Sequence, residues 1–600
     1  MLHSRRWELA LMLVVIAPYV AFFALSSGRV GPKDFDQFLV FHELQYWNSA
    51  LFGLAKQWTP VLCGGLSLAG EPQVPFASLS MLFAYALGPL AGIEIAAISY
   101  LLLGWGGAYL YAALWLPTAR ERALAATLFI GNPFLLWRLA VGQIDFLPFF
   151  LLPLFLWSAH CGGTWLRVGT PTTRAVRATT ATLLLGALAS VAIDGSPVTI
   201  IHLLFWVVLY VLALALVTRD AAPVLVCAAA LLVACVLDAG YLWPMIEAQR
   251  LFPRLTPDRH TTPLALLFHA LFPLRGKILP VNGKGHELTV YVGPFVAWLL
   301  WRYRHALREM PRHIAVPLLV VSVVSVVLGI GSLRPLHVPL WLSLFDLLRP
   351  LPGFRSLEVT GRYWGFLSVP LCLFAAKAIC RYLDERPRHH LLPQVMASLL
   401  LLQFAIESEA FISPWSGSRH YQPVPTASLF RDRSEQIAFV LKGVRSQGEL
   451  ITPTRGVLDC YDHDDFIHAR IEPGAPLALG AASVMATFES WNAIVLHWAP
   501  GPPVAPGTSA GTTRFIVNQA WHPDWSANVC VPGREEHNRL ALDCSATDLQ
   551  ARGARLQFEN HLSTLGARVS KFAWAAWLLL TGTVLALRVR LVPRRVTSQS

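Results

Sequence analysis

Residues 198–217 read VTIIHLLFWVVLYVLALALV, without a lysine, arginine, aspartate or glutamate. A helix needs about 20 predominantly apolar residues to cross the hydrocarbon core of a bilayer. Lipid offers the backbone no hydrogen-bond partner, so a single apolar run satisfies its own peptide groups only as a helix. The run therefore predicts a transmembrane helix over Val198–Val217.

Comparable apolar runs flank this segment along most of the chain. They lie at Trp7–Leu25, Ile93–Trp115, Ala123–Leu136, Phe146–Ala159, Ala178–Ile193, Pro223–Ile246, Leu288–Trp301, Ile314–Gly331, Tyr363–Ile379, Leu392–Phe411 and Phe572–Leu587. The chain is 55% hydrophobic and 14% charged, whereas a soluble domain is about 25% charged. These values exclude a water-soluble fold and predict an α-helical polytopic membrane protein with about twelve spans. The first run could also be a secretory signal, but its length favours a retained anchor.

The short arginine-rich loops all fall on one side when the N-terminus is placed in the cytoplasm. They contain Arg120, Arg174, Arg219, Arg308, Arg386 and Arg590. Because positive charge is retained on the cytoplasmic side during insertion, this pattern predicts the orientation. We expect both termini in the cytoplasm, a membrane domain over residues 1–411, and a final helix with a basic tail over residues 572–600. The short run Phe76–Leu87 is then expected to lie along the outer membrane surface.

Two segments on the predicted outer side are long enough to carry structure of their own. Residues 26–92 form the first outer loop, and residues 412–571 form an extracytoplasmic domain. Alternating runs bounded by turn residues, such as Thr513–Gln519 and Ala554–Glu559, predict that this domain is rich in β-strands. Cys530 and Cys544 lie within it and could form a disulfide or stay free thiols.

Two carboxylates follow directly after the first predicted span. Asp34 and Asp36 stand at alternate positions, with His42 a few residues further on. A carboxylate just above the bilayer could act as a general base toward the hydroxyl group of an acceptor. Acidic residues are also typical of a solvated loop, so the spacing alone does not decide between the two interpretations.

Three more carboxylates stand near predicted outer helix ends, namely Asp145, Asp194 and Asp238. Ionisable groups at membrane depth are costly and normally face a cavity or a charged partner, so these residues are candidates for binding a substrate. The alternative is that each is a helix-end carboxylate that pairs with a neighbouring arginine.

The predicted outer segments carry arginines that membrane insertion does not demand, among them Arg138, Arg355 and Arg362. Arginine suits bidentate recognition of phosphate, and a lipid phosphate at the outer leaflet would meet these side chains first. The alternative is that they lie at the membrane interface and pair with acidic residues of the loops.

Other functional classes find little support in the sequence. The net charge of +12 does not indicate a nucleic-acid partner, because the arginines sit mainly between spans. No glycine-rich nucleotide motif is present, which argues against a nucleotide-driven pump. The segment Asp459–His468 has residue types that bind metals, but it lacks a recognised spacing, which favours a solvated acidic loop. No cofactor is therefore assigned, and a divalent metal ion stays an open alternative.

Short motifs follow one another in a distinctive order along most of the chain. They are Asp34–Gln37, Trp58–Pro60, Cys63–Gly65, Glu71–Gln73, Leu87–Pro89, Asn132–Phe134, Gly142–Gln143, Tyr291–Gly293, Leu351–Arg355, Gly361–Tyr363, Phe515–Gln519 and Trp521–Trp525. In this order the chain resembles the YfhO-type bacterial membrane proteins, within the wider group of C-type-fold (GT-C) membrane glycosyltransferases. Asp524 stands where that family usually has glycine.

The resemblance implies a sugar transferase of the bacterial cytoplasmic membrane, with its active site on the extracytoplasmic side. Its donor would be a polyprenyl-phosphate sugar, and its acceptor a glycan or lipid of the cell envelope. Matched residue by residue, the catalytic carboxylate would be Asp34 or Asp36. The donor phosphate would meet Arg355 and Arg362.

Two other functions stay open on the sequence alone. The first is a transporter or flippase of lipid-linked saccharides, in which Asp145, Asp194 and Asp238 would line a path through the membrane. The second is an envelope-assembly scaffold without catalytic activity, whose outer domain binds carbohydrate.

The predicted orientation can be checked by cysteine labelling in intact cells. We expect a cysteine introduced at position 430 to react with a membrane-impermeant maleimide, because residues 412–571 are assigned to the outer side. A cysteine at position 598 should react only after permeabilisation. The opposite pattern, with position 430 protected and position 598 reactive, would refute the assignment.

Overall fold

The computed structural model describes residues 34–62, 65–140, 142–165, 171–251, 294–332, 343–348, 350–351, 360–385, 438–440, 455–457, 477–479, 484–498, 512–536 and 538–591, with isolated positions between 12 and 20. The predicted span Leu392–Phe411 and nearly all of Trp7–Leu25 lie outside these residues. So does the first part of Leu288–Trp301.

Helices make up most of the described chain. They are α1 Asp34–Phe52, α2 Leu79–Leu87, α3 Pro89–Ala112, α4 Ala119–Ile130, α5 Pro133–Ala140, α6 Leu152–Trp165, α7 Pro171–Ile193, α8 Pro197–Thr218, α9 Ala222–Leu237, α10 Ala239–Leu251, α11 Pro294–Arg302, α12 Arg312–Ile330, α13 Leu344–Leu348, α14 Ser368–Asp384, α15 Ala546–Arg552 and α16 His561–Leu591. Shorter 3-10 helices precede α6, α12 and α14, at Ile144–Leu151, Arg304–Glu309 and Thr360–Leu367.

Six helical stretches in the described part are long and apolar enough to cross a membrane. They are Pro89–Ala112, Ile144–Gly162, Arg174–Ala192, Val198–Thr218, Arg312–Ile330 and Thr360–Asp384. Each overlaps one predicted span, and Val198–Thr218 contains the whole of the predicted span Val198–Val217. A further pair, Ala222–Leu237 and Ala239–Ala248, bends by 84° at Asp238 and would add a seventh if it counts as one span. The chain is thus a polytopic α-helical membrane protein.

Large apolar side chains on these helices lie open on the protein surface. Leu216 of α8 is 79% exposed, Leu225 of α9 is 66% exposed, and Leu319 of α12 is 62% exposed. Such residues are unfavourable in water but match the hydrocarbon of a bilayer. The outer faces of these helices are therefore suited to lipid.

Local sequence signals explain several helix starts. Proline occupies the first or second position of α3, α8 and α9, where its missing N–H costs no helical hydrogen bond. Thr118 and Glu121 form a capping box at the start of α4, in which each side chain accepts from the other residue's backbone N–H. Glu121 also accepts a 2.9 Å hydrogen bond from Lys377, which ties α4 to α14.

The predicted span Ala123–Leu136 does not form one helix. Helix α4 ends at Ile130, and α5 starts at Pro133. Pro133 has no N–H to continue the α4 hydrogen bonds, and the side chain of Asn132 accepts from Phe134 N at 2.9 Å. The single span predicted here is wrong, because the Gly-Asn-Pro sequence at 131–133 divides the apolar run into two short helices.

The segment predicted as the first outer loop is largely structured. It contains α1, the antiparallel pair of β1 Trp58–Thr59 and β2 Leu66–Ser67, and α2. Helix α2 has only nine residues, too few to cross a bilayer, and packs its buried residues Ser80, Met81 and Ala84 against the protein. The helix predicted within Phe76–Leu87 is confirmed, while its position at the membrane surface stays a prediction.

The C-terminal part is built mainly of antiparallel strands. They are β3 Ala438–Val440, β4 Arg455–Val457, β5 Ala478–Leu479, β6 Val484–Ser490, β7 Ala493–Trp498, β8 Thr512–Ala520, β9 Trp525–Ala527, β10 Cys530–Arg534, β11 Arg539–Ser545 and β12 Ala554–Phe558. One four-stranded sheet has the order β10-β11-β8-β5, and the other has the order β6-β7-β12-β9. A parallel pair, β3 and β4, stands apart from both. The prediction of a β-containing C-terminal region is confirmed.

A disulfide and a long helix complete this region. Cys530 and Cys544 are bonded across the paired strands β10 and β11, so the disulfide that the sequence left open is formed. Helix α16 runs over His561–Leu591 and contains the predicted final span Phe572–Leu587. The boundary drawn at residue 572 therefore falls inside this helix, which begins eleven residues earlier (572 − 561).

Trp58 connects the N-terminal segment to the β-rich region. Its ring lies 5.2 Å from that of Trp525 and 5.0 Å from that of Phe558, between centroids. Its backbone N donates to Asn492 Oδ1 at 3.1 Å, and its indole N–H donates to Gln519 Oε1 at 3.4 Å. Trp58 is 1% exposed, so this contact is a packed core rather than a surface touch.

Replacing Trp58 with alanine should loosen the β-rich region from the helices. Loss of a buried tryptophan typically costs about 3–5 kcal/mol, so the melting temperature of the purified protein should fall and the β-rich region should become protease-sensitive. Trp301→Ala, at a 65% exposed tryptophan of α11, is the control and should leave both unchanged. Equal melting temperatures for the two variants would contradict this role of Trp58.

Candidate functional site

Asp34 and Asp36 begin a helix instead of lying in a loop. Asp34 is the first residue of α1, and Asp36 is buried, with 7% of its surface exposed. The expectation of a solvated loop is therefore wrong for Asp36. Its carboxylate lies inside the protein, where the neighbouring residues determine its chemistry.

The start of α1 packs against the turn that follows α5. At Gly142 the backbone has φ +84°, and a Cβ placed there would lie 2.3 Å from Phe35 N and 2.5 Å from Phe35 Cβ. Only glycine allows this approach and this backbone angle without strain. The close contact brings the turn that holds Arg138 and Gln143 beside the start of α1.

Two arginines share one aromatic ring in this region. The guanidinium carbon Cζ of Arg138 lies 4.3 Å from the ring centroid of Phe146, and that of Arg362 lies 5.1 Å from the same centroid. Arg138 is 1% exposed and donates from Nη1 to Gln143 Oε1 at 2.6 Å. We call Arg138, Gln143, Phe146 and Arg362 the arginine site.

The helices around the arginine site fix its geometry. Phe146 belongs to the 3-10 helix Ile144–Leu151, and Arg362 belongs to the 3-10 helix that precedes α14. Thr199 of α8 donates its hydroxyl to the backbone oxygen of Asp145, which anchors the first of these segments. The site is thus assembled from segments more than 200 positions apart in the sequence (362 − 138).

The predicted residues Arg138 and Arg362 therefore meet at Phe146, Asp145 directly precedes that residue, and Asp36 directly follows Phe35, which contacts Gly142. Guanidinium groups held over an aromatic ring keep their donors in a fixed plane, which suits bidentate recognition of an oxyanion. Because water is largely excluded around Arg138, a charge-assisted hydrogen bond there is stronger than one on the surface. Chemically, the arrangement can hold an anion close to the carboxyl-bearing start of α1.

Asp194 and Asp238 belong to a different buried group, around Lys56. Asp194 accepts hydrogen bonds from Phe76 N at 2.7 Å and from Ala77 N. Lys56 donates from Nζ to the backbone oxygen of Val74, and the charges of Asp194, Asp238 and Glu71 act on it. We call Lys56, Glu71, Asp194 and Asp238 the lysine cluster.

Burial and charge oppose each other in the lysine cluster. Burial lowers the pKa of Lys56 to about 8, although the surrounding carboxylates counteract part of this effect. Burial likewise raises the pKa of Asp194 to about 6, against the effects of Lys56 and of three backbone N–H donors. Near pH 7 both groups are therefore largely charged, as an internal ion pair requires. The predicted role of Asp194 in binding a substrate stays a prediction.

His42 has both ring nitrogens engaged within the protein. Nδ1 lies 2.7 Å from the backbone oxygen of Phe38, and Nε2 lies 2.8 Å from Ser80 Oγ. Burial lowers the pKa of His42 to about 4, so the ring is neutral near pH 7. The hydrogen bond to Ser80 joins α1 to α2, and the predicted contact of His42 with a substrate stays a prediction.

Two predicted elements fall outside the described residues, namely Arg355 and the acidic segment Asp459–His468. Within the part of the chain that the structure describes, no group of three or more histidine, cysteine, aspartate or glutamate side chains has a geometry for metal.

Sequence reasoning missed Lys56 and His202. The sequence around Lys56 does not indicate that this residue is buried, because a lysine in a polar segment is normally solvated. His202 could have been found from the sequence, because it is an ionisable residue within an apolar run of twenty residues.

No family model and no curated protein matches the chain. Among solved structures it is similar to the cryo-EM structure of arabinofuranosyltransferase AftD from Mycobacteria, with 16% identity and a TM-score of 0.42, over 70% of this chain and 28% of AftD. It is also similar to the oligosaccharyltransferase AglB from Archaeoglobus fulgidus in complex with an inhibitory peptide and a dolichol-phosphate, with 12% identity and a TM-score of 0.38, over 76% of this chain and 64% of AglB. The apo form of the Archaeoglobus fulgidus oligosaccharyltransferase gives 14% identity and a TM-score of 0.39, over 75% and 64% of the two chains. The chain spans less than two thirds of each of these proteins.

Substituting Gly142 should disturb the contact that joins α1 to the arginine site. An alanine Cβ would overlap Phe35, and its φ of +84° would be strained, so we expect a loss of roughly 1–3 kcal/mol and a lower melting temperature. Gly106→Ala in α3 is the matched control, because a Cβ there meets nothing within 4 Å. That control should be neutral or slightly stabilising. A Gly142→Ala protein as stable as the parent would show that the close approach is not required.

Proposed function

We propose that the protein is a membrane glycosyltransferase that takes a sugar from a polyprenyl-phosphate donor on the outer face of the bacterial cytoplasmic membrane. The observation that carries this proposal is the arginine site, in which the buried Arg138 and the partly exposed Arg362 both lie over Phe146, next to the turn that packs on the start of α1. The acceptor is a glycan or lipid of the cell envelope, and nucleic acid is not a partner.

The phosphate chemistry follows from the residue types. Arg138 and Arg362 both contact the Phe146 ring. Together they supply two cationic groups that can bind the oxygens of one phosphate. Such a pair neutralises charge that grows on the phosphate as the bond to the sugar breaks. Arg355, predicted to contact the same phosphate, would be a third cation.

An apolar groove supports a lipid-linked donor. It lies among α6, α7, α8 and α9, with Phe155, Leu185, Ile200, Val207 and Leu231 in its wall. A groove of this composition offers no partner to a sugar or peptide, but it suits the hydrocarbon chain of a lipid. Helix α8 lines both this groove and the neighbourhood of the arginine site, so a chain in the groove and a phosphate at the arginines would lie on one helix.

In the proposed reaction Asp36 or Asp34 removes the proton from an acceptor hydroxyl group. The acceptor oxygen then attacks the anomeric carbon of the sugar and forms the new glycosidic bond. The bond from that carbon to the phosphate oxygen breaks, and the polyprenyl phosphate leaves with the electron pair. A general base of this kind contributes about 10²–10⁴ in rate.

Transport of lipid-linked saccharides is the second candidate. The 84° bend between α9 and α10 at Asp238 is a broken helix, and substrate sites of transporters often lie at such breaks. Under this hypothesis the apolar groove would carry the lipid through the membrane without any bond being made.

Neutralising the base and the phosphate ligand should give different kinetic results. Asp36→Asn, or Asp34→Asn if that residue is the base, should lower kcat by about 10²–10⁴ and leave KM for the donor nearly unchanged. Arg362→Gln removes a charge that binds the phosphate before and during reaction, so it should chiefly raise KM. Consumption of polyprenyl-phosphate sugars by the purified protein measures both parameters.

Exposed residues of α15 provide matched controls for these variants. Asp548→Asn and Arg552→Gln make the same chemical changes at residues that have no proposed role in binding or catalysis. Both variants should behave like the parent protein. If both Asn variants transferred sugar at the parental rate, neither aspartate would be the base. Movement of lipid-linked saccharide across vesicles, with no sugar transfer by any protein in the series, would favour transport.

A further inference from the structure

His202 packs on two residues that adjoin the arginine site, Tyr363 and Phe149. Its ring centroid is 4.6 Å from that of Tyr363, the residue after Arg362, and 6.1 Å from that of Phe149. Phe149 in turn stacks on Phe146, with 5.3 Å between centroids. The charges of both arginines act on the imidazole of His202, which is 0% exposed.

The two ring nitrogens of His202 have different surroundings. Nδ1 lies 2.7 Å from the backbone oxygen of Val198. A carbonyl oxygen only accepts hydrogen bonds, so Nδ1 carries the hydrogen and donates it. In the neutral ring, Nε2 then holds a lone pair and can only accept. Among the described residues Nε2 has no hydrogen-bond partner, although it is completely buried.

A buried acceptor without a protein partner points to a group that a ligand supplies. The phosphate of a polyprenyl-phosphate sugar is a diester, whose oxygens only accept hydrogen bonds at neutral pH. It can accept hydrogen bonds from the arginines, but it has no hydrogen to donate to the lone pair of Nε2. The sugar attached to this phosphate carries hydroxyl groups, which donate. The arginines and His202 Nε2 therefore suit adjacent parts of one donor molecule.

We propose that His202 Nε2 accepts a hydrogen bond from a hydroxyl group of the donor sugar and so selects and positions that sugar. This inference rests on the proposed function, and it makes His202 a specificity residue rather than an acid or base. The groove supports the assignment, because Ile200, Leu203 and Val207 line it from α8, while the His202 ring, on another face of α8, packs on Tyr363, the residue after Arg362. One helix would then contact both the lipid chain and the sugar.

The test compares parent donors with monodeoxy donors. Wild-type protein in lipid nanodiscs is given polyprenyl-phosphate pentoses and hexoses, and kcat/KM is measured for the best donor and for each of its monodeoxy forms. Loss of the recognised hydroxyl should lower kcat/KM by about 10-fold. His202→Asn keeps an amide donor for Val198 but has no atom at the position of Nε2, so this discrimination should disappear. His202→Gln, whose side chain reaches the Nε2 position, should recover part of it.

His160→Asn is the matched control. His160 is also a buried membrane histidine, but it lies beside Tyr210 and His313. Its variant should keep the discrimination of the wild type. If His202→Asn does not fold, His202→Phe, which preserves the ring shape, is measured in the same way.

Three results would overturn the inference. The first is a His202→Asn or His202→Phe protein that keeps the wild-type discrimination against the deoxy donor, since His202 would then act only by packing. The second is a wild-type protein that uses every monodeoxy donor as well as the parent donor. The third is a wild-type protein that consumes no polyprenyl-phosphate sugar, which would remove the proposed function together with this inference.

Discussion

Three consecutive residues, Lys56, Gln57 and Trp58, join the membrane helices to the β-rich region. Lys56 Nζ lies 4.5 Å from the ring centroid of Tyr241 in α10, while its backbone N donates to Ser563 Oγ of α16 at 2.7 Å. Gln57 accepts from Asn560 N at 3.1 Å. Trp58 enters the aromatic core of the two-sheet region. Neighbouring side chains in extended backbone point to opposite sides, so this short segment contacts both parts at once.

The contact made by the segment Lys56–Trp58 depends on the buried charge of Lys56, which nearby acidic side chains balance. Removing one partner of a buried ion pair typically costs about 3–5 kcal/mol, because it leaves the other charge uncompensated. Asp194 and Asp238 were predicted to bind a substrate, and in the structure their charges also favour the charged form of the buried Lys56. Buried acidic groups at membrane depth thus have a structural explanation here, which sequence position alone does not reveal.

The two buried polar regions have opposite character. In the lysine cluster three acidic side chains act on one ammonium group, whereas the arginine site presents two guanidinium groups over one ring. Guanidinium groups suit the recognition of an oxyanion, which the acidic side chains of the first region do not. Helix α8 adds the neutral acceptor of His202 on one face and an apolar groove on the next. A molecule with a charged phosphate, a hydroxyl-bearing sugar and a hydrocarbon chain matches these surfaces in turn.

The sequence alone was enough for much of the architecture. Apolar length predicted six of the confirmed spans, because each helix meets the lipid by its own residues and needs no distant partner. Alternation predicted the strands β8 and β12 for a similar local reason. The break at residues 131–133 was not predicted from the sequence, because Ala123–Leu136 is as apolar as a membrane span. A prediction from apolar composition gives no weight to the helix-breaking effect of Pro133.

The site required the tertiary structure. The sequence nominated Asp36, Arg138 and Arg362 by residue type, but their neighbourhood depends on how the start of α1 packs on Gly142 and how two 3-10 helices share Phe146. It could not separate Asp194 and Asp238 from them, since all five residues occupy similar helix-end positions in the chain. The hydropathy of a segment depends only on its own residues and the solvent around them. A binding site instead depends on contacts between segments hundreds of positions apart, which only tertiary packing brings together.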